Sequence, residues 1–224
     1  MTVQKQDHPS IKVVIPGVSG VGKSTLFEKL IRREKARWIF LYDHKQGDLA
    51  RRFDEKSCYD LDELCEATSR GGYVIFNPAK MYAGKPEDGF GFFADFVWNV
   101  SQSLKGKKIF GSDELDNLCD VSTPPDELLC ILDQGRTFQI DCFFICQAMN
   151  ALHNRVRKQM TEIFAFRQGD ERGVQWLADK GMLPEKLTAL KNGEWIYKNL
   201  NTGEEKNGGK AFEPKNAGRN LNGL

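Results

Sequence analysis

The chain has 224 residues, in which 32 Lys and Arg stand against 31 Asp and Glu for a formal charge of +1. With 40% hydrophobic and 28% charged residues it has the makeup of an ordinary globular protein, which excludes a disordered, collagen-like or small disulfide-rich chain. The balance also excludes a globally basic nucleic-acid coat, though not a local basic stripe.

Short apolar runs alternate with amphipathic helical stretches. Residues 11–15 read as a strand ending at Pro16-Gly17. Residues 23–36 read as a helix with Leu26, Phe27, Leu30 and Ile31 on one face. Residues 37–42 are a buried strand, Asp62 to Ser69 a helix closed by Gly71-Gly72, and Tyr73–Phe76 a third strand. Residues 89–104 carry Phe93, Phe96, Val97, Val100 and Leu104 at helical spacing, so the Phe-rich stripe at 90–96 reads as core rather than a base-stacking platform. Lys108–Ser112 is a short strand. Thr123-Pro124-Pro125-Asp126 reads as a helix start, with a capping hydroxyl and an acid three residues on. Residues 138–146 are another buried strand and 163–166 a further one. Asp170 to Lys180 is a helix closed by Gly181, and Glu194–Lys198 a strand followed by an Asn201-Thr202-Gly203 turn. Strands alternating with helices make an α/β protein with a mostly parallel sheet flanked by helices. Residues 1–200 read as one domain. The last 24 residues, with five Gly and five Asn, read as a tail or an arm that orders on a partner.

The six cysteines (58, 65, 119, 130, 142 and 146) form no C-x-x-C pair, and read as reduced, mostly buried thiols of a cytosolic protein. His8, His44 and His153 are too scattered for a metal site. The longest strictly apolar runs are five residues, such as Trp38–Tyr42, far short of the about 20 that span a bilayer. No transmembrane segment is expected.

Gly17-Val18-Ser19-Gly20-Val21-Gly22-Lys23-Ser24 matches G-x-x-x-x-G-K-[ST]. Glycines let successive backbone N–H groups point inward around a phosphate, and the helix that starts near Lys23 adds its positive dipole end. The nucleotide-binding set is therefore Gly17, Ser19, Gly20, Val21, Gly22, Lys23, Ser24 and Thr25. The Lys23 ammonium would reach the β/γ-phosphates, the Ser24 hydroxyl would ligate Mg²⁺, and Thr25 would contact the α-phosphate. A second metal anchor is expected at a neighbouring strand end, and Asp113-Glu114 follows Lys108–Ser112. Asp113 would hold Mg²⁺ through water, and Glu114 would act as general base on the attacking water. A base beside the metal aspartate favours hydrolysis over transfer to a small acceptor. The N-K-x-D motif of GTPases and the L-S-G-G-Q signature of ABC transporters are absent from the sequence. The strand at 138–146 ends in Gln147, an amide that would sense γ-phosphate if it lay beside the P-loop strand.

Taken in order, the P-loop, a strand ending in Asp43-His44-Lys45, Asp113-Glu114, Gly135-Arg136 and a strand ending in Gln147, the chain resembles the HerA/FtsK superfamily of DNA-pumping ATPases. Its size and lack of an anchor make it most similar to the viral branch, the genome-packaging ATPases of membrane-containing viruses with double-jelly-roll capsids. The resemblance covers roughly residues 11–198. It implies a RecA-like P-loop NTPase core of the additional-strand, catalytic-Glu type, with the sensor strand inserted between the P-loop and Asp-Glu strands. It implies ATP and Mg²⁺ as cofactors, and ATP hydrolysis coupled to translocation of DNA into a preformed capsid. It implies a homo-oligomeric ring, a hexamer by preference, that works with capsid or vertex proteins in the host cytoplasm and at a packaging vertex of the virion. A trans-acting arginine is expected. Arg136 is the first candidate, in trans or in cis, and Arg155, Arg157, Arg167 and Arg172 are alternatives. Other readings are a filamentous-phage assembly ATPase of the zonula-occludens-toxin type, a small-molecule P-loop kinase and a non-hydrolysing ATP-bound scaffold.

Charge is segregated. Residues 113–133 hold seven acids and no Lys or Arg, and residues 28–52 hold eight basic residues against four acids. Arg155, Arg157 and Lys158 follow the sensor strand directly and are the candidates for contact with DNA phosphates, where each contact would make binding salt-dependent.

Overall fold

The computed structural model of the chain describes residues 10–45, 47–119 and 123–209. Among them, nine strands form one sheet in the order β3-β4-β2-β5-β6-β1-β7-β8-β9. The strands are β1 (Lys12–Pro16), β2 (Trp38–Tyr42), β3 (Ser57–Cys58), β4 (Gly72–Phe76), β5 (Lys108–Ser112), β6 (Ile140–Cys146), β7 (Glu162–Ala165), β8 (Trp195–Asn199) and β9 (Glu205–Gly208). From β3 to β7 every pairing is parallel, and the β7–β8 and β8–β9 pairings are antiparallel.

The central strands β2, β5 and β6 are buried at every residue. Helices cover both faces, as a parallel sheet requires. Side chains alternate across the sheet with a period of two and so feed two cores. On one face Ile15, Leu41, Ile109, Phe143 and Ile145 meet Leu26, Phe27 and Ile31 of α1 (Lys23–Arg33) and Leu49 and Phe53 of α2 (Asp48–Phe53). On the other, Phe40, Tyr42, Phe76, Phe110 and Phe144 meet Leu64 of α3 (Leu61–Arg70), Phe90, Phe93 and Val97 of α4 (Pro86–Ser103), and Leu128 and Leu132 of α6 (Asp126–Gln134). The Phe90 and Phe93 rings are fully buried and lie 5.2–6.0 Å from those of Tyr42, Phe76 and Phe110, so the 90–96 stripe is core. Each ring removed from water stabilises the fold by about 1.5–3 kcal/mol.

The remaining helices are short: α5 (Leu115–Leu118), α7 (Asn154–Gln159), α8 (Glu171–Ala178) and α9 (Pro184–Ala189). The Asp170 carboxylate caps α8 by accepting from Gly173 N. At α6 the cap position falls on Pro125, two residues after the expected Thr123. The helix begins at Asp126 after Pro125, which supplies no side-chain bond. The boundary expected at residue 201 also moves. Residues 205–208 extend the sheet as β9, paired to β8 across a turn that Asn199 Oδ1 organises by accepting from Asn201 N and Thr202 N. The rest of the tail, from residue 210, lies outside the described residues. All six cysteines are free thiols. No helix among the described residues is long and apolar enough to cross a membrane.

One feature of the sheet positions the site. The carboxyl ends of β1, β6, β5 and β2, which are adjacent and parallel, deliver four loops to one edge. These are the loops holding Gly17–Gly22, Gln147, Asp113-Glu114 and Asp43–Lys45. In open α/β sheets this edge is where ligands bind.

Candidate functional site

The P-loop leaves β1 and enters α1 through Gly22, whose φ of 109° only glycine adopts without strain. Its first residues are tied to both flanking strands. Gly17 N donates to Cys146 O at 3.2 Å, and Val18 N donates to Arg167 O at 3.0 Å. A Cβ on Gly17 would stand 2.7 Å from Phe166 Cβ, so the close approach of loop and β7 requires glycine there. Val21 is fully buried and accepts from Gly193 N, which anchors the far side of the loop.

Lys23 is buried, and its ammonium donates to Gly17 O at 2.6 Å and Val18 O at 2.8 Å. Burial pushes its pKa down, and the carboxylates of Asp113, Asp116 and Glu114 oppose that shift. The Ser24 hydroxyl donates to Asp113 Oδ2 at 3.3 Å. The structure thus brings the two expected metal ligands together from α1 and the end of β5. The pair is a hydroxyl and a carboxylate oxygen, the hard donor type that suits Mg²⁺ with waters filling its other positions.

Glu114 follows Asp113 in a left-handed conformation, φ 50° and ψ 53°, which turns its side chain back toward the site before α5 begins. Its carboxylate is held from three sides: it pairs with Lys45 Nζ, accepts from Asn117 Nδ2 at 2.9 Å, and has His44 Nε2 at 3.8 Å. Burial works to raise the Glu114 pKa, but the Lys45 and Asn117 contacts outweigh it and the net shift is downward. Burial lowers the His44 pKa against the pull of Glu114. For Lys45, burial alone would lower the pKa, yet Glu114 and Asp113 together raise it. Asp43, the first of this loop's three polar residues, is buried and accepts from Ala50 N at 3.1 Å, satisfying a free amide of α2.

Gln147 emerges between the P-loop and Asp-Glu strands, because β6 is inserted between β1 and β5. The pairings of Pro16 with Cys146 and Ser112 with Phe144 put all three strand ends side by side. The Gln147 side chain is exposed, and its backbone N donates to Asp116 Oδ2 at 2.8 Å. Burial pushes the Asp116 pKa up, opposed by that N–H. Asp116 is therefore a tie between the Glu114 loop and the sensor strand. In the sequence it looks like one more acid in a solvated helix start.

The structure separates two groups from this edge. Arg136 lies in a 3-10 turn (Gly135–Phe138) that leads into the opposite end of β6. The seven residues of β6 put it roughly 20 Å from its own P-loop. This corrects the expectation that Arg136 can act in cis. Arg155, Arg157 and Lys158, the candidates for contact with DNA phosphates, lie on α7, which carries them away from this edge. Arg155 pairs with Asp133 at 3.2 Å, near the end of α6 that leads to Arg136, and Gln159 bridges Asp133 and Lys12 at the start of β1. Of the other arginines, exposed Arg167 directly follows Phe166 and its carbonyl binds the P-loop, so it stays at the catalytic edge.

No protein-family model and no curated protein matches the chain. Solved structures do. The genome-packaging NTPase B204 of Sulfolobus turreted icosahedral virus 2, in complex with sulfate, superposes with a TM-score of 0.75 at 18% identity, over 92% of this chain and all of that one. Its complex with ATP-gammaS gives a TM-score of 0.72 at 17% identity over 92% of this chain and 100% of that one. VirB4 of Thermoanaerobacter pseudethanolicus gives a TM-score of 0.67 at 12% identity, over 93% of this chain and 91% of that one. The fold is therefore the RecA-like core that the resemblance implies, shared with B204 and VirB4.

Proposed function

We propose that the chain is an ATPase that drives DNA into a viral capsid. The observation that carries this reading is the convergence of Lys23, Ser24, Asp113 and Glu114 at one sheet edge, with Ser24 Oγ 3.3 Å from Asp113 Oδ2 and the Gln147 strand between their parent strands. The backbone amides of Gly17–Thr25 and the amino end of α1 receive the phosphates. Lys23 leaves the loop carbonyls for the β/γ-phosphate oxygens. Ser24 and Asp113 would hold Mg²⁺, which when bound neutralises charge developing on the transferred phosphoryl group. Glu114 takes the proton of the attacking water, and Gln147 hydrogen-bonds the γ-phosphate.

The B204 relative is a genome-packaging NTPase, and its full-length match in fold supports the packaging role. Arg136 lies far from its own nucleotide site, so any role it has in hydrolysis is on a neighbour's nucleotide. In the proposed ring Arg167 is the alternative donor. Arg155, Arg157 and Lys158 remain the proposed DNA contacts. The test is ATP turnover with and without double-stranded DNA, at 50 and 200 mM salt. The reading expects turnover stimulated by DNA, with stimulation that fades as salt rises. ATP turnover indifferent to DNA would overturn the packaging role.

A further inference from the structure

Lys45 is not part of the P-loop or of the Asp-Glu pair, yet it sits on both carboxylates. Its ammonium pairs with Glu114 and stands 3.5 Å from Asp113 Oδ2, the same oxygen that receives the Ser24 hydroxyl. The sheet explains the encounter. Strand β2 neighbours β5 on the side away from β6, and the pairing of Tyr42 with Ser112 sets the two loops level. The Asp113 carboxylate is 7% exposed and that of Glu114 is 22%, whereas Lys45 is 36% exposed and has room to swing outward.

Two consequences follow. A Glu114 carboxylate engaged by Lys45 on one oxygen and by Asn117 on the other has two of its four lone-pair sites taken and its charge neutralised, which weakens it as a base toward a water. An Asp113 oxygen that faces an ammonium is also a poor ligand for a second cation, because the two positive charges repel. We propose that Lys45 is a positioning residue that neutralises Asp113 and Glu114 and must release them before Asp113 can serve a divalent cation. Lys45 thereby sets the Mg²⁺ concentration at which the nucleotide site closes. This inference rests on the nucleotide-site reading above.

The experiment is a Mg²⁺ titration of the full chain with a fluorescent, non-hydrolysable ATP analogue at fixed concentration. The midpoint of the binding change is read for wild type, Lys45→Met, Lys45→Gln and Lys45→Arg. Both neutral variants are expected to reach half-saturation at about tenfold lower Mg²⁺ than wild type, the factor that one unit charge at this range gives even at the dielectric of water. Lys45→Arg is expected to stay near wild type. Neutral variants whose midpoints are unmoved or higher, on proteins that bind the analogue, would overturn this inference alone. If wild type fails to bind the analogue at any Mg²⁺ concentration, the nucleotide-site reading falls, and this inference with it.

Discussion

Gly111 sits in the middle of β5, two residues before Asp113, and the strand cannot be built as packed with any other residue there. A Cβ at this position would stand 2.8 Å from the carbonyl oxygen of Phe143, 3.2 Å from Phe27 Cζ and 3.3 Å from Leu41 Cδ2, where ordinary van der Waals contact begins at 3.4 Å. The first neighbour is the decisive one. Phe143 is the register partner of Gly111 on β6, so its carbonyl yields only if the β5–β6 ladder opens. Overpacking of a rigid core of this kind costs about 1–3 kcal/mol. Gly111→Ala is therefore expected to destabilise the chain by that amount in urea unfolding, seen as a lower midpoint at unchanged slope. The same displacement parts Asp113 from Gln147, so ATP affinity should fall too. A destabilisation below about 0.5 kcal/mol would refute the argument, because it would mean that β5 and β6 separate without cost.

Other outcomes follow from single side chains. Lys23→Ala removes the cation that two loop carbonyls hold in readiness, and nucleotide binding measured by fluorescence should be lost while the unfolding midpoint moves little. Lys108 is buried at the start of β5, where its ammonium donates to Gly106 O and Phe138 O and burial lowers its pKa to about 8 from 10.5. Between those values the unfolded chain binds more protons than the folded one, so rising pH favours folding. Wild type should therefore gain stability relative to Lys108→Met from pH 7.5 to 10, by about 2 kcal/mol. A difference that is flat or shrinks with pH would contradict the assignment.

What the sequence made legible was whatever is local and periodic. The P-loop is fixed by residue types at fixed spacing, and the buried strands by uninterrupted apolar runs such as Trp38–Tyr42 and Ile140–Cys146. The insertion of β6 between β1 and β5 was implied by the resemblance to the HerA/FtsK superfamily, not by any local signal. Side-chain contacts between the loops of neighbouring strands could not be read. Lys45 meets Glu114 only because β2 lies beside β5, and Asp116 binds the Gln147 amide only because β5 lies beside β6. Arg155 to Lys158 follow the sensor strand in sequence, but α7 takes them to the far edge, where Asp133 holds Arg155. The Glu205–Gly208 strand has no apolar alternation, and edge pairing with β8 alone makes it a strand. At Thr123 a favourable capping pattern was present, but the helix began three residues later, after a second proline.

Glu114 is proposed to activate water for hydrolysis of ATP bound on the P-loop. The most direct measurement is phosphate release in a single turnover at saturating Mg²⁺ and ATP, with binding of the same nucleotide measured in parallel, for wild type and Glu114→Gln. The amide keeps the shape of the carboxylate and can still bond Asn117, but it cannot take a proton. Glu114→Gln is expected to bind ATP and to release phosphate at least about 100-fold more slowly than wild type. Phosphate release at the wild-type rate from a variant that binds ATP would contradict it.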